Sequence, residues 1–190
     1  AAWVAPRFLL DLGGVAAGAA YVPSPNCDAR PDDAEITLLV IHNISLPPGE
    51  FGGPHIEELF TNRLNPAAHP YFAGIADLRV SAHFLIRRDG AVLQFVPCEL
   101  RAWHAGVSLW KGRERCNDFS IGIELEGADE QRYTAAQYRR LAGCVAELLA
   151  AHPRLNARRI VGHSEIAPGR KTDPGPCFDW QRLNQLLRRR

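Results

Sequence analysis

Two histidines and one aspartate lie where polar side chains can meet for chemistry. His42 follows the apolar run at residues 36–41, His163 follows the short apolar run at 160–161 and a glycine, and Asp173 comes ten residues later in a loop rich in proline and glycine. Functional side chains concentrate at strand ends and in the loops that follow them. Two imidazoles and a carboxylate would leave one position of a tetrahedral zinc open, as catalytic sites require. Because no H-E-x-x-H motif is present, the spacing alone favours two hydrogen-bonded strand-end histidines over a metal site.

The composition is that of a globular protein with no bias toward nucleic acid or membranes. Of 190 residues, 46% are hydrophobic and 23% are charged, and the net charge of +1 gives no electrostatic footprint for nucleic acid. No apolar stretch approaches the roughly 18 residues that a membrane-spanning helix needs. Five cysteines are scattered singly without a C-x-x-C pair, which favours a reducing compartment over a disulfide framework. We therefore expect a cytoplasmic protein.

Strands are predicted from apolar or alternating runs at residues 36–41, 82–88, 91–96, 119–126 and 160–161. Asp89-Gly90 separates the second and third runs and predicts a hairpin with a type I′ turn. In the fourth run Ile121, Ile123 and Leu125 alternate with polar or small residues, which predicts one apolar and one polar face.

Helices are predicted at residues 54–64, from Thr134 to 149, and from Asp179 onward, with a long loop at 65–77. Thr134 and Gln137 have the spacing of a capping box. Helices and strands alternate irregularly, so we expect an α/β (α+β) fold in one domain, with a central mixed sheet flanked by helices. Residues 1–22 are predicted to form an N-terminal arm and residues 23–190 the folded domain.

Six segments, in the same order along the chain, resemble the AmpD-type 1,6-anhydro-N-acetylmuramoyl-L-alanine amidases. They are residues 39–49 (LVIHNISLPPG), 69–72 (HPYF), 80–86 (VSAHFLI), 103–106 (WHAG), 119–127 (FSIGIELEG) and 162–175 (GHSEIAPGRKTDPG). The similarity extends over about residues 23–183. It implies the mixed-sheet fold that this family shares with phage amidase-type lysozymes and peptidoglycan recognition proteins, and it makes residues 23–190 a zinc amidase catalytic domain.

The resemblance also implies a metal site. One zinc ion per chain would be held by the residues matching the family's ligands, His42, His163 and Asp173. The phage branch has a cysteine as third ligand, whereas this chain has Asp173 at that place. The nearby Cys177 is therefore interpreted as a bystander.

Two catalytic residues are implied in the same way. Glu124 matches the family's catalytic glutamate and would move the proton from water to the leaving amine. Glu126, two residues on and on the same face of the predicted strand, is the rival for that role. Lys171 matches the catalytic lysine and would stabilise the oxyanion. The residues expected to contact the substrate are Asn43, Arg79, Trp103, His104 and Arg115, and those expected to be structural or superficial are His55, His69, His83 and His152.

The function implied is zinc-dependent hydrolysis of the amide bond between the lactyl group of (1,6-anhydro-)N-acetylmuramic acid and the L-alanine of the stem peptide. The substrate would be a small muropeptide handled during peptidoglycan recycling, and the enzyme is expected to be a monomer. Three alternatives stay open at this point: an exported amidase that acts on intact wall, a muropeptide-binding module without activity, and a zinc peptidase that cuts between amino acids.

Overall fold

A computed structural model of the protein describes residues 10–11 and 13–190. Its strands are β1 (Ala20–Tyr21), β2 (Cys27–Ala29), β3 (Leu38–Ile44), β4 (Phe84–Ile86), β5 (Val92–Gln94), β6 (Leu100–Ala102), β7 (Leu109–Trp110), β8 (Arg113–Glu114), β9 (Ser120–Glu126) and β10 (Ile160–Gly162). Six of them form one sheet in the order β1-β5-β4-β9-β3-β10. All neighbours in it are parallel except β4 and β5. The prediction of a central mixed sheet is thus confirmed.

The helices are α1 (His55–Phe60), α2 (Ala135–Ala151), α3 (His163–Ile166) and α4 (Trp180–Arg188). Helix α2 begins with the predicted capping box, in which Thr134 and Gln137 exchange side-chain and backbone hydrogen bonds. Helix α1 ends earlier than predicted, because Asn62 has a φ of 60° that no helix continues. The predicted loop at 65–77 contains a 3-10 helix at Pro70–Gly74. No helix within the described part of the chain is long and apolar enough to cross a membrane.

The sheet has a different neighbour on each face. One face of β3 and β9 carries Leu39, Ile41, Ile121 and Ile123, which pack into one core with α2. The opposite face of the two strands holds the candidate active site. Every residue of β9 is buried, so the predicted polar face of this strand is not exposed to solvent. The alternation is real, but β9 is central in the sheet, and its polar face is covered by loops rather than by water.

The predicted hairpin is present with another turn. Strands β4 and β5 pair antiparallel, as expected. Gly90 has a φ of 89°, whereas Asp89 does not have a positive φ, so the turn is not type I′. The Gly90 N–H donates to the Arg87 carbonyl at 2.8 Å. This is a type I turn followed by a left-handed glycine, the usual three-residue hairpin loop.

The predicted arm is described from residue 10 onward except for residue 12, and its residues 1–9 lie outside the described residues. Strand β1 pairs with β5 and places Ala20 and Tyr21 at the edge of the sheet. The Gln94 side chain accepts the Ala16 N–H at 2.7 Å and donates to the Gly14 carbonyl at 2.7 Å. These contacts attach residues 14–21 to the domain.

Candidate active site

The candidate site lies in a cleft at the carboxyl ends of the central parallel strands. His42 on β3 is directly opposite Glu124 on β9 in the register of the two strands, so both side chains emerge on the same face. His163 is the first residue of α3, immediately after β10. The loop after α3 brings back Asp173, whose carbonyl accepts the Ser164 N–H at 3.1 Å. The register of the sheet therefore positions His42 and Glu124, whereas the loop around α3 positions His163 and Asp173.

Three potential ligand atoms converge in this cleft. The two Nδ1 atoms of His42 and His163 are 2.9 Å apart. Oxygens of Asp173 lie 3.3 Å from Nδ1 of His42 and 3.2 Å from Nδ1 of His163. Ligands about 2.0–2.2 Å from a tetrahedral zinc are themselves roughly 3.4 Å apart, so these separations are close to those of a metal site. Within the described residues this is the one group of three ligating side chains close enough to share an ion.

The outer nitrogens of the imidazoles have partners of their own. Nε2 of His163 lies 3.0 Å from the carbonyl oxygen of Ala105, which only accepts, so this nitrogen carries the proton and Nδ1 has a lone pair. Nε2 of His42 lies 2.8 Å from Nδ1 of His104, and Nε2 of His104 lies 3.1 Å from the Ser120 hydroxyl. If Nε2 of His42 donates to Nδ1 of His104 and Nε2 of His104 donates to the Ser120 hydroxyl, then Nδ1 of the neutral His42 ring also has a lone pair. Two lone pairs and a carboxylate then face one another, an arrangement that fits a cation.

The protonation states suit ligation. Burial lowers the pKa of His42 to about 4, so its imidazole is neutral near pH 7. Burial also lowers the pKa of His104 well below its ordinary value, with further lowering by the neighbouring histidines. For Asp173 burial acts to raise the pKa, but the close approach of the His163 and His42 imidazoles outweighs it and lowers the pKa below its usual range. The site thus presents neutral imidazoles of His42 and His104 and an ionised carboxylate of Asp173.

Glu124 lies beside this cluster. Its side chain lines the cleft, and Oε1 is 3.9 Å from Nδ1 of His42. Oε2 is buried and has no hydrogen-bond partner within the part of the chain that the structure describes. Burial raises the pKa of Glu124 well above its ordinary value, the charge of Asp173 raises it further, and Lys171 opposes the shift. A buried carboxyl group with a raised pKa beside a set of potential metal ligands is a candidate for proton transfer.

Glu126 is engaged elsewhere. Its carboxylate accepts hydrogen bonds from the Gly52 N–H at 2.8 Å, the Arg88 N–H at 3.0 Å and the Arg87 guanidinium at 3.1 Å. It does not line the cleft. The geometry therefore favours Glu124 over its rival for proton transfer.

Four other predicted residues line the same cleft, Lys171, Asn43, Trp103 and His104. Lys171 is exposed at its edge. The Trp103 indole N–H donates to an oxygen of Asp28 at 3.2 Å. The Asn43 amide donates at 2.7 Å to Asp129 and also contacts Tyr133 and Pro174, on the opposite face of β3 from His42. The backbone N–H of Asn43 points to Asp173 instead, at 3.4 Å.

The two predicted arginines do not lie in the cleft. Arg79 is exposed, and its guanidinium donates to the neighbouring Leu78 carbonyl at 3.4 Å. The Arg115 side chain is 82% exposed and lies 3.6 Å from Asp118 in an ion pair. Arg115 borders a separate surface depression formed with Asp118 and other charged residues. The structure thus brings neither guanidinium to the three potential metal ligands.

Sequence reasoning missed several residues that organise the site. The Ala105 carbonyl, the Ser120 hydroxyl and the Asn117 side chain are all linked to the imidazoles directly or through one residue. Only the resemblance drew attention to residues 103–106, and no periodic pattern marks Asn117. The four histidines predicted to be structural or superficial, His55, His69, His83 and His152, are all outside the cleft lining.

The cleft has a volume of about 580 Å³. One wall is apolar and is formed by Leu59, Phe60, Tyr71, Ile75 and Leu78. The three potential ligand residues and Glu124 form part of the polar lining, which also includes Lys171. A concave site of this size with an apolar wall and a few converging polar groups is typical of a small-molecule binding site.

Residues 32–176 match the model of a protein family described as N-acetylmuramoyl-L-alanine amidase. The chain belongs to this family. A relative named 1,6-anhydro-N-acetylmuramyl-L-alanine amidase AmpD, from Citrobacter freundii, is 63% identical over 179 residues, which is 94% of this chain and 95% of the relative. The predicted family membership is therefore confirmed.

Solved structures agree in fold. The crystal structure of a selenomethionine derivative of AmpD has a TM-score of 0.92 at 62% identity, and the match covers 94% of this chain and 99% of that one. The amidase AmiD from E. coli, solved with the substrate anhydro-N-acetylmuramic acid-L-Ala-D-γ-Glu-L-Lys, has a TM-score of 0.61 at 30% identity, over 84% of this chain and 60% of that one. The predicted fold class is confirmed by both, since each shares the central sheet and its flanking helices.

Proposed function

We propose that the protein hydrolyses the amide bond between the lactyl group of 1,6-anhydro-N-acetylmuramic acid and the L-alanine of the stem peptide, with one zinc ion held by His42, His163 and Asp173. The family and the names of its close relatives support the reaction. The observation that supports the mechanism is the convergence of three ligand atoms beside the buried carboxyl group of Glu124, whose Oε2 has no hydrogen-bond partner among the described residues.

The ligand set suits a catalytic zinc. Two neutral imidazoles and one carboxylate leave a net positive charge on the ion and one coordination position free. A zinc ion bound there would supply a water of lowered pKa and polarise the scissile carbonyl. The backbone N–H of Asn43 and the Ala105 carbonyl hold Asp173 and His163 in place for this purpose.

Glu124 would carry the proton. Amide hydrolysis requires that a proton leave the attacking water and reach the amine, which is otherwise a poor leaving group. Among the described residues Oε2 of Glu124 has no hydrogen-bond partner, so its capacity to accept a proton is not used by another group. Burial favours the protonated carboxyl group, which holds the proton until the carbon–nitrogen bond breaks.

Lys171 would stabilise the oxyanion of the tetrahedral intermediate. Lys171 lines the cleft, and its charge acts to lower the pKa of both Glu124 and His42, which supports an ammonium group within electrostatic reach of the reacting centre. A fixed cation directed at the developing negative charge stabilises the transition state more than the ground state.

The substrate we propose is a small muropeptide. The apolar wall with Tyr71 and Leu78 provides a surface for the apolar face of the sugar, and Trp103 provides a flat ring beside it. Arg79 is next to the wall residue Leu78 and would meet a stem-peptide carboxylate at the rim of the cleft. Substrate contact by Asn43, His104 and Arg115 stays a prediction from the resemblance.

We also propose that the protein works as a monomer in the cytoplasm during peptidoglycan recycling. All five cysteines lie in the described part of the chain as free thiols, which suits a reducing compartment. The near-neutral net charge of +1 gives no basis for a nucleic-acid partner.

Mass spectrometry of the products tests this function. Purified anhydro-muropeptide is incubated with the enzyme, with the enzyme plus chelator, and with the chelated enzyme after zinc is returned. We expect a free peptide that begins with L-alanine, no product with chelator, and recovery with zinc. A cut between two amino acids would indicate a peptidase, and equal or faster release from intact sacculi would indicate an enzyme of the wall itself.

A further inference from the structure

Residues 103–106 form a segment, which we call the strap, that contacts both candidate imidazole ligands. Nδ1 of His104 is 2.8 Å from Nε2 of His42, and the carbonyl oxygen of Ala105 is 3.0 Å from Nε2 of His163. Two consecutive residues thus provide the hydrogen-bond partners for the outer nitrogens of both imidazoles. Their position decides how both rings are oriented.

A single side chain holds the backbone of the strap. Oδ1 of Asn117 accepts the His104 N–H at 3.0 Å and the Ala105 N–H at 2.8 Å. Asn117 lies in the 3-10 helix Cys116–Phe119, which leads directly into β9. The amide oxygen therefore couples the strap to the strand that carries Glu124.

Strand β9 also seats the ring of His104. A Cβ atom at Gly122 would lie 2.5 Å from Cγ of His104, so the ring packs on the backbone where only glycine leaves room. The Ser120 hydroxyl lies 3.1 Å from Nε2 of the same ring. The side chain of His104 is thus fixed by β9 and its backbone by Asn117.

We propose that Asn117 is a positioning residue, which through the strap sets the orientation and the tautomers of His42 and His163 and thereby the affinity for zinc. This inference rests on the proposed function, in which these two residues bind the ion. Asn117 touches neither imidazole, and its effect would pass through the two N–H groups that it accepts. Removal of such outer partners typically weakens metal binding by about 10–100-fold.

The test compares zinc affinity with stability. Zinc dissociation constants are measured by competition with a chromophoric chelator, and the Tm is measured on the zinc-free proteins. For Asn117→Ala we expect a dissociation constant raised about 10–100-fold. The matched control is Asn156→Ala, since Asn156 makes the same kind of bond, accepting the Arg158 N–H at 2.9 Å, outside the cleft. We expect it to change the Tm and leave zinc affinity unaltered.

Two further variants separate positioning from folding. Asn117→Asp keeps an acceptor oxygen at the same place, and its zinc affinity should return to near the wild-type value. Asn117→Gln keeps the amide but moves the oxygen, so it should weaken zinc binding, and it replaces Asn117→Ala if that variant does not fold. Imidazole ¹⁵N shifts of the zinc-free variants should show altered tautomers of His42 and His163.

An unchanged zinc dissociation constant in both Asn117→Ala and Asn117→Gln would overturn the inference, as would equal weakening in Asn156→Ala. Failure of the wild-type protein to bind zinc would instead contradict the proposed function. The two failures are therefore distinguishable.

Discussion

The two halves of the candidate site are built by different means. His42 and Glu124 lie on β3 and β9 and face each other because the two strands pair in register. His163, Lys171 and Asp173 belong to α3 and the loop after it, and hydrogen bonds between loop groups determine where they lie. Register is fixed by the whole sheet, whereas a loop geometry depends on a few bonds. Substitution of a strand side chain should therefore leave the geometry of the site intact, whereas loss of a hydrogen bond in the loop half should alter it.

The largest effect is expected in the sheet half, at Glu124. Glu124→Gln keeps the shape of the side chain but cannot accept the proton, so kcat should fall by about 10²–10⁴-fold. Because Oε2 is buried and has no partner in the described part of the chain, the neutral amide should not lower the Tm. Steady-state kinetics, zinc content and thermal unfolding of the variant check these expectations.

Glu126→Gln is the matched control on the same strand, two residues away. Glu126 accepts three hydrogen bonds, including one from Arg87 at 3.1 Å, so this variant should lose stability and retain most of its kcat. A Glu124→Gln enzyme with wild-type kcat would remove this residue from the mechanism. A reversed pattern between the two variants would return the role to Glu126.

The difference between Glu124 and Glu126 also shows how much of the sheet half of the site the sequence could predict. Alternation along residues 119–126 predicts which side chains of β9 share a face, and this is sufficient to place Glu124 with Glu126. Alternation cannot tell that the polar face is covered, because burial of that face comes from loops far away in the sequence. The choice between the two glutamates depends on Arg87 and Gly52, whose contacts no local pattern reports.

The loop half is predictable only in part. The glycine and proline residues of 162–175 predict a loop but not its conformation, and only the resemblance singled out Lys171. The resemblance predicts that the rings of Trp103 and His104 contact the substrate. In the structure His104 instead forms a hydrogen bond with His42, a residue 62 positions earlier. Arg79 and Arg115 match family positions, but their long side chains lie outside the cleft. A match in sequence does not determine where a flexible side chain lies.

A smaller effect is expected in the loop half, at Lys171. Lys171→Ala should lower kcat by about 10²–10³-fold, the range for loss of one group that stabilises an oxyanion. KM should change little if the ammonium acts mainly in the transition state. Lys111 is the chain's other lysine and lies over the Trp110 ring, 4.7 Å from its centroid. Lys111→Ala should have wild-type kinetics, and an equal loss in both variants would point to general charge rather than position.

The smallest expected effect is on the pH dependence of stability, and it concerns His83, whose ring centroid is 6.0 Å from that of His104 in the strap. Burial lowers the pKa of His83 to about 3, with Arg30 lowering it further, and Nε2 lies 2.9 Å from the Leu100 carbonyl. The folded state therefore favours the neutral ring, and its stabilising contribution is complete above the unfolded pKa of about 6.5 and is lost as the pH falls toward 3. The zinc-free protein should thus lose free energy of unfolding as the pH falls below about 6.5, with a slope that is lower in His83→Asn. Urea unfolding at several pH values measures it. Equal slopes in both proteins would assign the acid sensitivity to His42 and the other buried imidazoles at the metal cluster, rather than to the packing behind the strap.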